Sequence, residues 1–161
     1  MAREIINGVP NQFGAPLDPS GLPTKMSGVG SPEKVMVVDF KYDNLPSGST
    51  TDAGIFQIPQ GSFIVSARLE VLTAFAGGTS YDIGLVRATD GTTAINAAGL
   101  FSALALASIN GQGKWAAGAG ALVGAVSDVT YAGQIKVTAT GTFTAGRAKL
   151  YVTYIPSSQF S

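Results

Sequence analysis

From Lys34 onward, apolar and polar residues alternate along the chain with a period of two. Met36, Val38, Phe40 and Tyr42 fall on one side, with Asp39 and Lys41 between the later ones, and Pro46 and Gly48 close the segment in a turn. Strict alternation of this kind marks a strand with one face in a core and one in water. Residues 55–58 predict a short strand closed by Pro59-Gln60-Gly61. The clearest pattern follows: Phe63, Val65, Ala67, Leu69 and Val71 on one face, Ser66, Arg68 and Glu70 on the other. Gly77-Gly78 then reads as a hairpin turn into Tyr81, Ile83 and Leu85, and Asp90-Gly91 is a second strong turn signal. Alternation resumes with Val129 and Tyr131, then Ile135, Val137 and Ala139. The last strand places Leu150, Val152 and Tyr154 inside and Lys149, Tyr151 and Thr153 outside, with the preceding segment as its partner through Thr144-Ala145-Gly146.

Two stretches break this rhythm. Residues 96–106 predict a short helix capped by Asn96, with Leu100 and Leu104 one turn apart. Gly99 within them leaves an irregular apolar loop beneath the sheets as the alternative. The first 33 residues carry five of the eight prolines (Pro10, Pro16, Pro19, Pro23, Pro32), and their apolar residues follow neither a helical nor a strand period. Such a segment cannot build its own core and reads as an extended arm, ordered only where something holds it. The expected fold class is all-β: an antiparallel β-sandwich or jelly roll with an extended N-terminal arm and at most one short helix. Residues 1–33 form the arm and 34–161 the β-sandwich domain.

Composition narrows the chemistry. The 161 residues include no Cys and no His, so there is no disulfide, no thiolate nucleophile and neither of the two commonest zinc ligands. Ten Lys and Arg balance ten Asp and Glu, and a net charge of zero argues against nucleic acid, whose binding needs a basic patch. Only 12% of residues are charged, about half the share of an ordinary soluble domain. A weakly charged, neutral surface is poorly protected from association, so much of it is expected to face protein. The N-terminus lacks the apolar core of a secretory signal, and the apolar run 97–107 is too short to span a bilayer. No membrane contact and synthesis in the cytoplasm are therefore expected.

No motif survives as a catalytic, cofactor-binding or metal site. Gly118-Ala119-Gly120-Ala121-Leu122-Val123-Gly124 has its third glycine one position late for a dinucleotide fingerprint and lacks a βαβ setting, so a tightly packed crossing loop is the better reading. Around Gly113-Lys114, Ser108 and Trp115 stand where a phosphate-binding loop needs Gly and Ser or Thr. Asp39, Asp43, Asp52, Asp82, Asp90 and Asp128 are scattered over turns and outward strand positions, and Asp82 is placed to pair with Arg87. Trp115, Tyr131, Tyr151 and Tyr154 are candidates for a sugar platform, but Trp115 is better read as an interface anchor. The candidate interface residues are Ile5, Ile6, Phe13, Leu17 and Leu22 in the arm and Trp115 in the body.

One resemblance adds to this reading. The run Ile58-Pro59-Gln60-Gly61-Ser62-Phe63-Ile64-Val65-Ser66, its continuation from Leu69 to Leu85, and the later run from Ala139 to Tyr154 resemble small virion proteins of tailed bacteriophages. The likeness covers roughly residues 55–155 and leaves the arm unmatched. It implies a β-sandwich structural protein, most like a head decoration (cement) protein, often trimeric in such phages. On that basis the expected partners are the major capsid protein and other copies of this chain in a homotrimer. The expected location is the capsid surface of a virion assembled in the host bacterial cytoplasm. No cofactor, no small-molecule ligand and no enzymatic activity are expected. The alternative is a tail, neck or fibre component with a carbohydrate-binding β-domain.

Overall fold

The structure is a computed structural model that describes residues 3–6, 9–12, 33–48 and 57–159. The chain separates into two compact units, Met1–Ser31 and Pro32–Ser161. In the first, β1 (Arg3–Ile6) pairs antiparallel with β2 (Val9–Gln12), setting Ile5 opposite Pro10 and Ile6 opposite Val9. The aperiodic sequence gave no hint of this hairpin.

The second unit is an antiparallel sandwich. One sheet has the order β4-β10-β6-β7, from β4 (Gln57–Ile58), β10 (Gly133–Thr140), β6 (Ser80–Arg87) and β7 (Ala94–Ala105). The other runs β3-β11-β5-β8, from β3 (Lys34–Lys41), β11 (Phe143–Ile155), β5 (Phe63–Gly77) and β8 (Trp115–Ala117), with β9 (Ala125–Val126) also on β5. The alternation chooses the inner faces. Val38 and Phe40, Ala67, Leu69 and Val71, and Ala148, Leu150 and Val152 face Ile58, Tyr81, Ile83, Leu85, Ile135 and Val137, all buried. Two sheets with apolar inner faces bury both by packing on each other.

The sequence reads Gly77-Gly78 as a hairpin turn and pairs the last strand with the segment before it, but both connections are crossovers. β5 and β6 lie in different sheets, as do β10 and β11, so Gly77-Gly78 and Gly141-Thr142 each carry the chain across the sandwich. The two crossings lie side by side, with Thr79 N–H donating to the Thr140 carbonyl at 2.8 Å. Gly78 has φ +61°, and a Cβ there would enter the Phe143 ring. The turn expected at Thr144-Ala145-Gly146 lies within β11, in a stretch of shifted register against β5. Alternation reports which face a residue takes but not which sheet its strand joins. Asp90-Gly91, by contrast, does close a hairpin, β6 with β7. Asp90 there accepts from the Thr93 hydroxyl and from the backbone N–H groups of Thr92 and Thr93. These bonds, the Thr93 hydroxyl foremost, hold its carboxyl down to about 2.

The expected helix at 96–106 is a strand for almost all of its length. Only α1 (Leu106–Ile109) is helical, and Ala105 rather than Asn96 precedes it, without a side-chain cap. Asn96 instead accepts from Ala98 N–H within β7. Leu85 is opposite Asn96 and Ile83 is opposite Phe101, so five steps of β7 run against two of β6. The excess folds over Gly84, where a Cβ would strike the Asn96 carbonyl and the Ala97 backbone. This wide bulge buries Leu100 and Phe101 and gives the stretch its broken period. Phe63 and Val65 are likewise only half-buried, and Ile64 takes the core position, because the pairing of β5 with β11 slips one residue between Ser66 and Ile64. Val129, expected in a strand, lies in a bend and is exposed.

At the crossover end, the Tyr81 ring stacks on Phe143 at 4.2 Å and meets Phe75 and Phe40 edge-on. Its hydroxyl is buried and has no hydrogen-bond partner among the described residues. Burial pushes its ionisation up to about 12. An unsatisfied buried hydroxyl costs stability, so Tyr81→Phe is expected to gain about 1 kcal/mol at neutral pH. Between pH 10 and 12 the unfolded tyrosine ionises while the folded one does not, so Tyr81 favours unfolding as pH rises through that window. Urea titrations at pH 7 and pH 11 should therefore show a smaller alkaline loss of stability in Tyr81→Phe than in the parent. An equal loss in both proteins would contradict this role.

Candidate functional site

The alternation that fills the core also defines an outer face on the five-stranded sheet. Val35 and Val37 project outward from β3, Tyr151 and Thr153 from β11, Arg68 and Glu70 from β5, and Trp115 from β8. The register brings them together: Tyr151 lies between Val37 and Arg68, and Glu70 lies opposite Trp115. Trp115 stacks on Tyr151 with ring centroids 5.6 Å apart and planes 26° from parallel. The Tyr151 hydroxyl donates to Glu70 Oε2 at 2.7 Å. That bond to a carboxylate, with burial adding to it, pushes the phenol above its ordinary ionisation range.

Local structure fixes Trp115. Val71 N–H donates to the Lys114 carbonyl and Gly113 N–H to the Val71 carbonyl, both within 3 Å, which docks the turn before β8 onto β5. Lys114 Nζ donates to the Ala107 carbonyl at 2.9 Å and to Asn110 Oδ1 at 2.8 Å, tying the same turn to α1. The indole nevertheless remains 57% exposed, with Val35 at 59% and Val37 at 46%. Single exposed apolar residues are ordinary, but a contiguous set marks an interaction surface. An open groove of about 410 Å³ runs between Trp115 and Tyr151 on one side and Val35 on the other, with Arg68 and Ser66 supplying polar groups.

Toward the other end of β3 the face becomes charged. Arg147 Nε donates to Asp39 Oδ1 at 2.9 Å and Nη2 to Oδ2 at 2.6 Å, and this forked bond holds the Asp39 carboxyl below its usual range. Being exposed, the pair adds little to stability. Its evident effect is to neutralise charge beside an apolar patch.

Of the candidate interface residues, only Trp115 has a described side chain. The backbones of Ile5 and Ile6 lie in β1, and Phe13, Leu17 and Leu22 lie outside the described residues. Three other expectations are corrected or sharpened. Asp82 does not pair with Arg87: its Oδ1 accepts from Ala103 N–H at 2.7 Å, while Arg87 sits 4.0 Å from the centre of the Tyr131 ring. Trp115 and Tyr151 meet, whereas Tyr131 lies under Arg87 and Tyr154 packs against the core. The Gly118–Gly124 stretch is a crossing loop between the sheets. Gly118 N–H bonds Ala67 of β5, and Gly120 and Leu122 N–H bond Leu100 and Gly99 of β7. Among the described residues no three acidic side chains gather as a metal site would need, and no helix is long and apolar enough to cross a membrane. The pattern grouped Trp115 with Tyr151 but gave no place beside them to Val35, which lines the same groove, or to Val37, which lies opposite Tyr151, because both adjacencies depend on which strands pair.

No family model matches the sequence, and neither does any curated protein. Solved structures do match. One is a chain of the cyanophage Pam1 capsid asymmetric unit, 18% identical, with a TM-score of 0.56 over 84% of this chain and 92% of that one. The body shares its fold with phage capsid chains. A second match, from the acidic stable capsid structure of Helicobacter pylori bacteriophage KHP30, is 19% identical with a TM-score of 0.50, covering 78% of this chain and 89% of that one. Coverage this complete on both sides means that the matched chains are themselves small and comparable in size to this one.

Because the outer face contributes little to folding, Trp115→Ala is expected to cost about 1 kcal/mol or less, chiefly the stack on Tyr151. Leu150→Ala, which empties a core position, is expected to cost about 2–5 kcal/mol. Thermal unfolding of both variants checks the contrast. A Trp115→Ala loss as large as that of Leu150→Ala would make Trp115 part of the core.

Proposed function

We propose that this chain is a non-enzymatic structural protein of a phage virion, a decoration or cement protein that binds the outer surface of the capsid shell. Its partners on this reading are the major capsid protein and other copies of itself in a homotrimer, with the arm reaching over neighbouring shell subunits. The observation that carries the reading is the match, along nearly their whole length, to small chains from two phage capsid structures. The exposed aromatic and valine face on a neutral, sparsely charged chain supports it, since such a surface is suited to protein contact. A repeating lattice multiplies weak contacts through effective concentration, so modest affinity at each site suffices. The arm would add contacts through Ile5, Ile6, Phe13, Leu17 and Leu22.

Shells of the parent virion lacking this protein provide the test. The full chain should bind them to saturation, and a chain lacking residues 1–33 should stay folded yet fail to occupy them. Full occupancy by the truncated chain would remove the arm from the mechanism, and failure of the full chain to bind would refute decoration.

The second reading, a carbohydrate-binding domain on a tail, neck or fibre, draws on the Trp115–Tyr151 pair beside the polar groups of Arg68 and Ser66. Aromatic faces stack on the apolar faces of sugars. Specific signals on a glycan array that disappear in Trp115→Ala would favour this reading over decoration.

A further inference from the structure

The sandwich has several sheet edges, and all but one are blunted. β4 is two residues long and β8 three. β7 is broken by its bulge, and its Gly99 and Leu100 carbonyls already accept from Leu122 and Gly120. β3 is different. It runs eight residues without Pro or Gly, and its pairing with β11 holds one register from Lys34 opposite Tyr154 to Lys41 opposite Arg147. Among the described residues no backbone hydrogen bond reaches its other edge between Val35 and Asp39. Tyr42 N–H bonds the Gly146 carbonyl, and two-residue steps back from there assign the even positions of β3 to β11. The N–H and C=O groups of Val35, Val37 and Asp39 therefore point outward. A long, straight strand edge with exposed valines is a template for another strand, and natural sheets normally disrupt such edges.

We infer that β3 is a pairing edge whose occupant is β3 of a second copy of this chain, joined antiparallel about a two-fold axis at Val37. A two-fold contact makes one surface serve both partners, so the strand must be complementary to its own reverse. Centred on Val37, it is so at its middle and at its two ends. Val37 meets Val37 of the other copy, Val35 falls opposite Asp39, and Glu33 falls opposite Lys41 at both ends of the ladder. The outward-pointing backbone groups of Val35, Val37 and Asp39 bond one another across the junction. Residues of equal parity stay on the same face, so the apolar inner positions continue from one sheet into the next. Moving the axis to Val38 would keep the backbone bonds but would set Val37 opposite Asp39 and Val35 opposite Lys41. Of the two, the Val37 register alone gives the outer face a β-branched pair and opposite-charge pairs, which stabilise a ladder. The contact uses a sheet edge, leaves the Trp115 end of the face open, and does not depend on the decoration reading.

The absence of cysteine makes the register directly testable. In the full chain, Val37→Cys should join two copies efficiently with a short bis-maleimide, because the two residues meet at the axis. Val35→Cys, whose two copies lie four residues out of step, should give several-fold less product. Val129→Cys, exposed and remote from β3, should give only background. Sedimentation of Val37→Lys, which sets like charges against each other on an exposed position, should show the largest species of the parent halved in mass. Equal crosslinking at all three positions, or none at Val37 with an unchanged sedimentation profile for Val37→Lys, would overturn the inference and leave the β3 edge to a strand of another protein.

Discussion

The sandwich depends on how it is closed at one end. Two adjacent crossings, at Gly77-Gly78 and Gly141-Thr142, carry the chain from sheet to sheet, and a cluster of Phe40, Phe75, Tyr81 and Phe143 fills the space behind them. The rings come from both sheets, so their edge-to-face and stacked contacts lock the sheets at a fixed spacing. That packing requires Gly78, since a side chain there would displace Phe143. With this end closed and the Gly118–Gly124 loop bonded to β5 and β7, the core of the body is filled by its own side chains. Among the described residues, the outer face of the five-stranded sheet is therefore left open to contacts beyond the fold.

Much of this was legible in the sequence, and the failures share a cause. Alternation at Val38 and Phe40, at Ala67, Leu69 and Val71, and at Leu150 and Val152 identified the buried face of three strands and hence the all-β class. It failed where the backbone leaves the ideal ladder. The bulge over Gly84 turned an expected helix into a strand, and the register slip below Ser66 moved the core position from Val65 to Ile64. Glycine signalled a turn correctly at Gly77-Gly78 but could not say whether the chain doubles back or crosses over. That choice is made by ring packing between residues far apart in sequence.

The candidate site shows the same division. Trp115 stood out because neither a strand period nor a turn explained it. Tyr151 reads as an outward strand position, and only the order β3-β11-β5-β8 sets Val37 opposite it and Val35 in the groove that Trp115 lines. The low charge of the chain then takes on a local meaning: Asp39 and Arg147 neutralise each other beside the valines, and Glu70 is engaged by Tyr151.

The central claim is that this outer face meets protein rather than water in the proposed assembly. Hydroxyl-radical footprinting read by mass spectrometry on Trp115 and Tyr151 tests it most directly, comparing the free chain with the same chain bound to its shell. Both rings should be modified readily in the free chain and become several-fold protected on the particle, while exposed Val129 serves as a reference. Equal modification of Trp115 and Tyr151 in the two states would contradict the claim and place the contact surface elsewhere on the molecule.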